Sequence, residues 1–161
     1  MSDAKAKPTG PIPPYFTAKD GELAIGGKTA SALVAEAGDT PLFIYSTAGL
    51  EARIGELRAA MPQQLGIHYA MKANPNLAVL KVLAREGYGA DIVSVGELER
   101  ALAAGMAAQD VIFSGVGKSK AELVRSLEAG VGQFNLESEE EGVELAAIAA
   151  AMGTCAVCTL R

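Results

Sequence analysis

The feature that most constrains the fold is a regular alternation of short apolar runs with amphipathic helical segments. From residue 67 onward the runs begin at residues 67, 90, 111, 133 and 156, so that one recurs about every 22 residues. Parallel strands joined by right-handed helical crossovers produce this order. The sequence therefore predicts an α/β protein with strands at residues 42–45, 67–71, 90–93, 111–113, 133–136 and 156–160.

Two α/β architectures agree with this alternation. A five-stranded doubly wound sheet of the flavodoxin type would be complete within 161 residues. A (β/α)8 barrel needs about 250 residues, so this chain would hold only about five of its strands. Both architectures place ligands at the carboxyl ends of the strands, and the periodicity alone leaves the choice open.

Helix boundaries are marked by residues suited to capping. Ser119 precedes Glu122 by three residues, which predicts a capping box, and Gly130 suits the left-handed position that ends the helix. At Asn74 and Pro75 the sequence predicts a cap followed by the first turn of another helix. Further starts are predicted at Ser94 with Glu97 and at Ser138 with Glu141, and further stops at Gly105 and Gly153.

Composition limits the class of partner. Half of the residues are apolar, which is enough for one domain with a real core, or for part of one. The net charge is −5, and the basic residues do not collect in one basic face. Neither nucleic acid nor a membrane surface is therefore the expected partner. A small polar metabolite fits better. No apolar segment follows the basic residues of the N-terminus, which predicts a cytoplasmic protein.

The N-terminal region divides into two parts. Residues 1–15 are rich in proline and lysine and predict a flexible tail. Residues 16–27 predict a β-hairpin, because Asp20 and Gly21 lie between two short apolar runs.

Cys155 and Cys158 form a C-x-x-C motif near the C-terminus. There is no second pair of cysteines, and the only histidine lies far upstream, so neither a metal site nor a redox site is predicted. Their odd separation on an extended chain would place the two sulfurs on opposite faces of a strand. We expect two buried core cysteines.

Lys72 is the strongest candidate for chemistry. It follows the apolar run 67–71, and strand alternation places it on the same side as His68 and Ala70. One interpretation is a lysine that extends to solvent at the rim of the sheet. The other is an amine held among apolar strands, whose pKa would be lowered so that it attacks an aldehyde.

Asp91 supports the second interpretation. It lies within the apolar stretch GADIV of the following strand, where an unpaired carboxylate is costly to bury. A cation is therefore expected beside it, either Lys72 or Arg161, which closes the last strand. A structural ion pair and a catalytic pair both remain open on the residues alone.

Several other polar residues have simpler explanations. Glu97 is explained by its capping spacing from Ser94, and a core histidine is the favoured interpretation of His68. Ser114 and Ser138 are interpreted as turn and cap residues, since no histidine is placed to activate them. The stretch GVGKSK lacks the four-residue loop of a nucleotide-binding P-loop.

Four motifs in order resemble one enzyme family. The stretches YAMKANPN (69–76), GADIVSVGELERALAAG (89–105), VIFSGVGKSKAEL (111–123) and FNLESEEE (134–141) are similar to the N-terminal part of the diaminopimelate decarboxylases. These belong to the fold-type III, alanine-racemase-like group of pyridoxal 5'-phosphate (PLP) enzymes. The resemblance covers nearly the whole chain from residue 16.

The resemblance implies a fold, a cofactor and a reaction. The fold would be the N-terminal part of a PLP-binding (β/α)8 barrel at residues 28–161, with the hairpin 16–27 packing on a β-domain beyond the chain. Lys72 would form the Schiff base with PLP, and Asp91 and Arg161 would approach the cofactor. The reaction would be decarboxylation of meso-diaminopimelate to L-lysine and carbon dioxide, by a homodimer of the full-length enzyme.

The resemblance also implies that the chain is a fragment. The phosphate-binding loop, the partner of the pyridine nitrogen and the specificity residues would lie beyond Arg161, and the fragment alone would be inactive. Two alternatives remain open: a PLP-binding module without catalysis, and another decarboxylase of the same group, of the ornithine or arginine type. A further alternative is a self-contained flavodoxin-like domain in which Lys72 and Asp91 form only a salt bridge.

Overall fold

The computed structural model describes residues 15–161. The chain divides after Gln63 into two compact units. The predicted tail lies outside the described residues, except for Tyr15. Among the residues described, no helix has both the length and the apolar character that crossing a membrane requires.

The first unit begins with a small antiparallel sheet. Its strands are β1 (Thr17–Lys19), β2 (Glu22–Ile25) and β3 (Lys28–Thr29), in that order. The predicted hairpin is confirmed, because Asp20 and Gly21 join β1 to β2 with φ of 53° and 80°. Positive φ at both central residues is the geometry that an Asp-Gly turn favours between twisted strands. Two helices follow, α1 (Ala30–Ala37) and α2 (Thr47–Ala60).

The predicted strand at residues 42–45 is wrong. Among the described residues this segment pairs with no strand. Phe43 and Tyr45 are 84% and 63% exposed. An apolar run becomes a strand only where a neighbour satisfies its backbone groups, and local sequence does not supply that neighbour.

The second unit is a parallel sheet with intervening helices. Its strands lie in the order β4-β5-β6-β7-β8, and each pairs in parallel with the next. A doubly wound sheet of the flavodoxin type would reverse its strand order after the first crossover, whereas sequential order is that of a (β/α)8 barrel. The strands are β4 (His68–Ala70), β5 (Gly89–Ile92), β6 (Val111–Phe113), β7 (Gln133–Leu136) and β8 (Cys158–Leu160), and the helices are α3 (Leu77–Arg85), α4 (Val95–Ala104), α5 (Lys120–Ala129) and α6 (Glu139–Ala151).

The two faces of this sheet differ in character. One face carries the core, where Phe113 and Phe134 are fully buried with ring centroids 6.3 Å apart. Each of the four helices adds a leucine that is at most 1% exposed: Leu80, Leu98, Leu123 and Leu145. The other face carries residues that register places level with one another, namely Ala70, Asp91, Ile112 and Gln133. Each of these four residues is half-buried.

The predicted helix ends are largely confirmed. Ser119 and Glu122 form the complete capping box, and Gly130 ends α5 with φ of 80°. Ser94 and Ser138 cap α4 and α6 through their hydroxyls. The acidic partners Glu97 and Glu141 instead accept from the backbone N–H groups of Val93 and Glu137. Gly105 caps α4 in the left-handed conformation, and Gly153, with φ of 66°, follows the cap of α6 at Met152.

The predicted start of α3 is wrong by two residues. Asn76 caps the helix by accepting from Ala78 N, so Asn74 and Pro75 lie before it. Asn74 Oδ1 accepts from Asn76 N in a local turn. Two asparagines flank Pro75, and the sequence signals for a cap are the same at both.

The prediction of two buried cysteines is also wrong. Cys155 and Cys158 are both free and exposed. Cys158 pairs in register with Phe134, on the face that the helices cover elsewhere. Strand β8 has one neighbour among the described strands, so its side chains lack the cover that the inner strands receive.

Candidate functional site

A cleft of about 370 Å³ lies at the carboxyl ends of the parallel strands. It contains all three residues predicted from the sequence, Lys72, Asp91 and Arg161. Parallel strands bring their carboxyl ends to one edge of a sheet, which is why residues up to 89 positions apart meet there. The remaining lining residues are Val93, Ile112, Ser114, Gly115 and Asn135.

Lys72 lies in the turn that directly follows strand β4. The strand ends at Ala70, and Met71–Ala73 form a 3-10 turn anchored by the fully buried Met71. Lys72 itself is exposed, which agrees with the interpretation of a lysine at the rim of the sheet and not with that of an amine enclosed by apolar strands. Within residues 15–161 its ammonium group has neither a hydrogen-bond partner nor an ion-pair partner. The amine is therefore accessible to a molecule in the cleft.

Asp91 is held by a hydroxyl and not by a cation. Ser114 Oγ donates to Asp91 Oδ1 at 2.5 Å. The expected ion pair of Asp91 with Lys72 or Arg161 is wrong for the residues described. Arg161 Nη1 instead lies 3.0 Å from Glu137 Oε1, with 65% of its side chain exposed. A short charge-assisted hydrogen bond satisfies the half-buried carboxylate that sequence reasoning had assigned to a cation.

The hydrogen bonds of Asp91 continue across the sheet. Asn135 Nδ2 donates to Ser114 Oγ at 2.9 Å, and Gln133 Nε2 donates to Asn135 Oδ1 at 2.9 Å. Sequence reasoning treated Ser114 as a turn residue and did not select Asn135. The register offers the missing signal: Ile112 is level with Gln133, so that Ser114 and Asn135, two residues further along, are also level.

A second lysine beside the cleft is not available for chemistry. Lys118 Nζ donates to Gly115 O and Asn135 O at 2.8 Å each, and it pairs with Glu141 Oε1 at 2.5 Å. These contacts occupy all three N–H donors of an ammonium group. The Lys118 side chain is 1% exposed and lies 5.6 Å from the centre of the Phe113 ring. Lys118 is thus a structural cation beneath the cleft.

The other candidate residues are placed by structural contacts. Glu97 Oε2 accepts from Val93 N at 2.7 Å, and Ser138 caps α6, which confirms their interpretation as residues at helix starts. His68 is exposed, so the prediction of a core histidine is wrong. Its Nδ1 lies 3.0 Å from Asp110 O, at the opposite end of the strands from the cleft.

Comparison with known proteins shows which family this chain belongs to. The family profile described as "Pyridoxal-dependent decarboxylase, pyridoxal binding domain" matches residues 47–161. The chain belongs to this decarboxylase family. The resemblance stated from the motifs is thereby confirmed, as is pyridoxal phosphate as the family's cofactor.

Individual relatives show which members of the family this chain is similar to. A diaminopimelate decarboxylase of Pseudomonas fluorescens is 47% identical over 150 residues, which are 91% of this chain and 35% of that protein. The structure of diaminopimelate decarboxylase from M. jannaschii with L-lysine has a TM-score of 0.87 and 31% identity, over 92% of this chain and 36% of that one. The Helicobacter pylori enzyme with L-lysine has a TM-score of 0.75 and 34% identity, over 80% and 33%. The chain spans about a third of the length of these relatives.

The fold prediction is confirmed by these likenesses together with the strand order. Five sequential parallel strands match the N-terminal part of the decarboxylase barrel. The cleft fits the aldehyde end of PLP in one respect, because Lys72 supplies an accessible amine.

Proposed function

We propose that this chain carries the lysine to which PLP attaches in a diaminopimelate decarboxylase. The observation that supports this most strongly is the exposed amine of Lys72, which has no partner among residues 15–161 and lies on a cleft at the carboxyl ends of the strands. A neutral lysine amine condenses with an aldehyde, and accessibility is the first requirement for that reaction. Lys118 is excluded from this role by its burial and its three hydrogen bonds.

PLP, once bound, supplies an electron sink for the pair of electrons left when a carboxylate departs as carbon dioxide. The residues of this chain position the reacting groups. Lys72 would hold the cofactor at the rim of the sheet, Asp91 would present a carboxylate held by Ser114, and Arg161 would add a positive charge to the lining of the cleft.

The proposed substrate is meso-diaminopimelate, with L-lysine and carbon dioxide as products. The names of the relatives support this choice over an ornithine or arginine substrate. The three relatives quoted above, which are 31% to 47% identical to this chain, are all diaminopimelate decarboxylases. Both solved relatives hold L-lysine, the product of that reaction.

The assembly and domain layout are part of the same proposal. Residues 28–161 would form part of the PLP-binding barrel, and the hairpin 16–27 would pack on a β-domain. We further propose a cytoplasmic homodimer that acts on a small amino acid. The net charge of −5 without a basic face supports a small-molecule partner over nucleic acid.

Reductive trapping tests the proposal. The protein, at the full length that its gene encodes, is incubated with PLP, treated with borohydride and digested, and the modified peptide is identified by mass spectrometry. We expect the pyridoxyl group on Lys72, and carbon dioxide release from meso-diaminopimelate. Lys72→Ala should abolish both, whereas Lys81→Ala, which removes an exposed lysine on α3, should change neither. A pyridoxyl group on another residue of the wild-type protein would contradict the proposal.

A further inference from the structure

The carboxylate of Asp91 is the last acceptor in a continuous series of hydrogen bonds between side chains of three neighbouring strands. The series runs from Gln133 to Asn135, then to Ser114, and ends at Asp91, with donor to acceptor distances of 2.9, 2.9 and 2.5 Å. Its direction is determined by chemistry. An amide nitrogen only donates, so Ser114 Oγ accepts from Asn135 and has its single proton left for Asp91.

Further contacts hold the two middle residues of this series of hydrogen bonds, Ser114 and Asn135. Ser114 is 6% exposed, which leaves its hydroxyl little freedom to choose another partner. Asn135 is held at two points, because its side-chain amide donates to Ser114 Oγ and its backbone oxygen accepts from Lys118 Nζ at 2.8 Å. Lys118 is in turn held by the buried carboxylate of Glu141.

We propose that Ser114 and Asn135 are positioning residues, which hold the Asp91 carboxylate in one orientation towards the cofactor cleft. This inference rests on the proposed function, since it concerns the same cleft. A short bond to a buried hydroxyl restricts rotation of the carboxylate about its side-chain torsion. Asp91 Oδ2 has no hydrogen-bond partner within residues 15–161, so that one oxygen is held and the other remains for a ligand.

The arrangement also accounts for the polar character of these two strand positions. Ser114 and Asn135 lie on the face of the sheet opposite the helices, while their neighbours Phe113 and Phe134 point to the other face and fill the core. An apolar residue in place of Ser114 would remove the only hydrogen-bond donor to Asp91 among the described residues and leave its carboxylate free to rotate. An apolar residue in place of Asn135 would remove the donor that fixes the direction of the Ser114 hydroxyl.

The test compares cofactor binding by variants of the protein at the full length that its gene encodes. Ser114→Ala is expected to weaken PLP binding roughly tenfold, because a hydrogen bond to a charged group is lost. It is also expected to shift the absorbance maximum of bound PLP. Ser114→Thr, which keeps the hydroxyl, should restore both. The matched control is Ser126→Ala, since Ser126 is fully buried on α5 and its hydroxyl has no hydrogen-bond partner in the described part of the chain.

A double substitution distinguishes action through Asp91 from a general structural effect. In the Asp91→Ala background, Ser114→Ala should cause no further loss of PLP binding and no further spectral shift. An equal loss in both backgrounds would overturn the inference, and so would a Ser114→Ala protein with wild-type affinity and spectrum. Wild-type protein that failed to bind PLP at Lys72 would instead contradict the proposed function, so the two failures are separable.

Discussion

Lys118 Nζ lies 2.5 Å from Glu141 Oε1, and the two side chains are only 1% and 10% exposed. This buried ion pair joins the loop after β6 to the start of α6. Through Gly115 O and Asn135 O it also holds the backbone on which the cleft is built. The pair explains why a lysine so close to the cleft is unavailable for chemistry.

Breaking this pair should destabilise the protein strongly. Lys118→Met removes the cation but leaves Glu141 buried, together with two carbonyl groups that lose a donor. We expect a loss of about 3 kcal/mol in the free energy of unfolding. Chemical denaturation followed by circular dichroism measures it. Lys120→Met, at an exposed lysine two residues on, serves as the control, and equal stability of the two variants would contradict the prediction.

Two glycines at strand starts should not tolerate alanine. A Cβ at Gly89 would overlap Asp110 O, and a Cβ at Gly132 would overlap Gln109 O. Both overlaps are with backbone, which cannot move aside without displacing a strand, so we expect Gly89→Ala and Gly132→Ala each to cost about 1 to 3 kcal/mol. Gly96→Ala on α4 has open space around it, with Ser94 Oγ at 3.8 Å, and should be neutral or stabilising. Thermal unfolding of the three variants checks this order.

The capping box of α5 should make stability depend on pH. Hydrogen bonds from the backbone and hydroxyl of Ser119 lower the pKa of Glu122. Because the folded pKa is below the unfolded one, the stabilisation is fully present above the ordinary glutamate pKa of about 4.3 and is lost as pH falls through the lowered value. Glu122→Gln should therefore reduce stability at neutral pH and have a smaller effect in acid. A difference between the two proteins that grows on acidification would contradict this sign.

The start of α3 can be located by substitution. Asn76→Ala removes the side chain that accepts from Ala78 N and should cost about 1 kcal/mol. Pro75→Ala, at an exposed position before the helix, should change stability by less than about 0.5 kcal/mol. Equilibrium unfolding in denaturant measures both. A larger effect at Pro75 than at Asn76 would mean that the helix begins earlier, at the position that the sequence suggested.

Much of the second unit could be predicted because its signals are local. The run at residues 111–113 contains only apolar residues, and the run at 133–136 is bounded by turn residues, so both strands were placed with their true limits. Ser119 and Glu122 specify a helix start through a contact between residues only three positions apart. The prediction failed at residues 42–45 and at Cys158, where the outcome depends on whether another element covers the strand.

The sequence by itself determined the alternation of strands and helices, most of the predicted helix caps and the motifs that contain Lys72 and Asp91. Only the tertiary structure decided that the strands follow one another in order, that Ser114 and not a cation holds Asp91, and that Lys118 is buried while Lys72 is exposed. The physical reason is range. Caps and periodicity depend on neighbours a few residues apart, whereas burial and hydrogen-bond partners depend on the register between strands more than 20 residues apart in the chain.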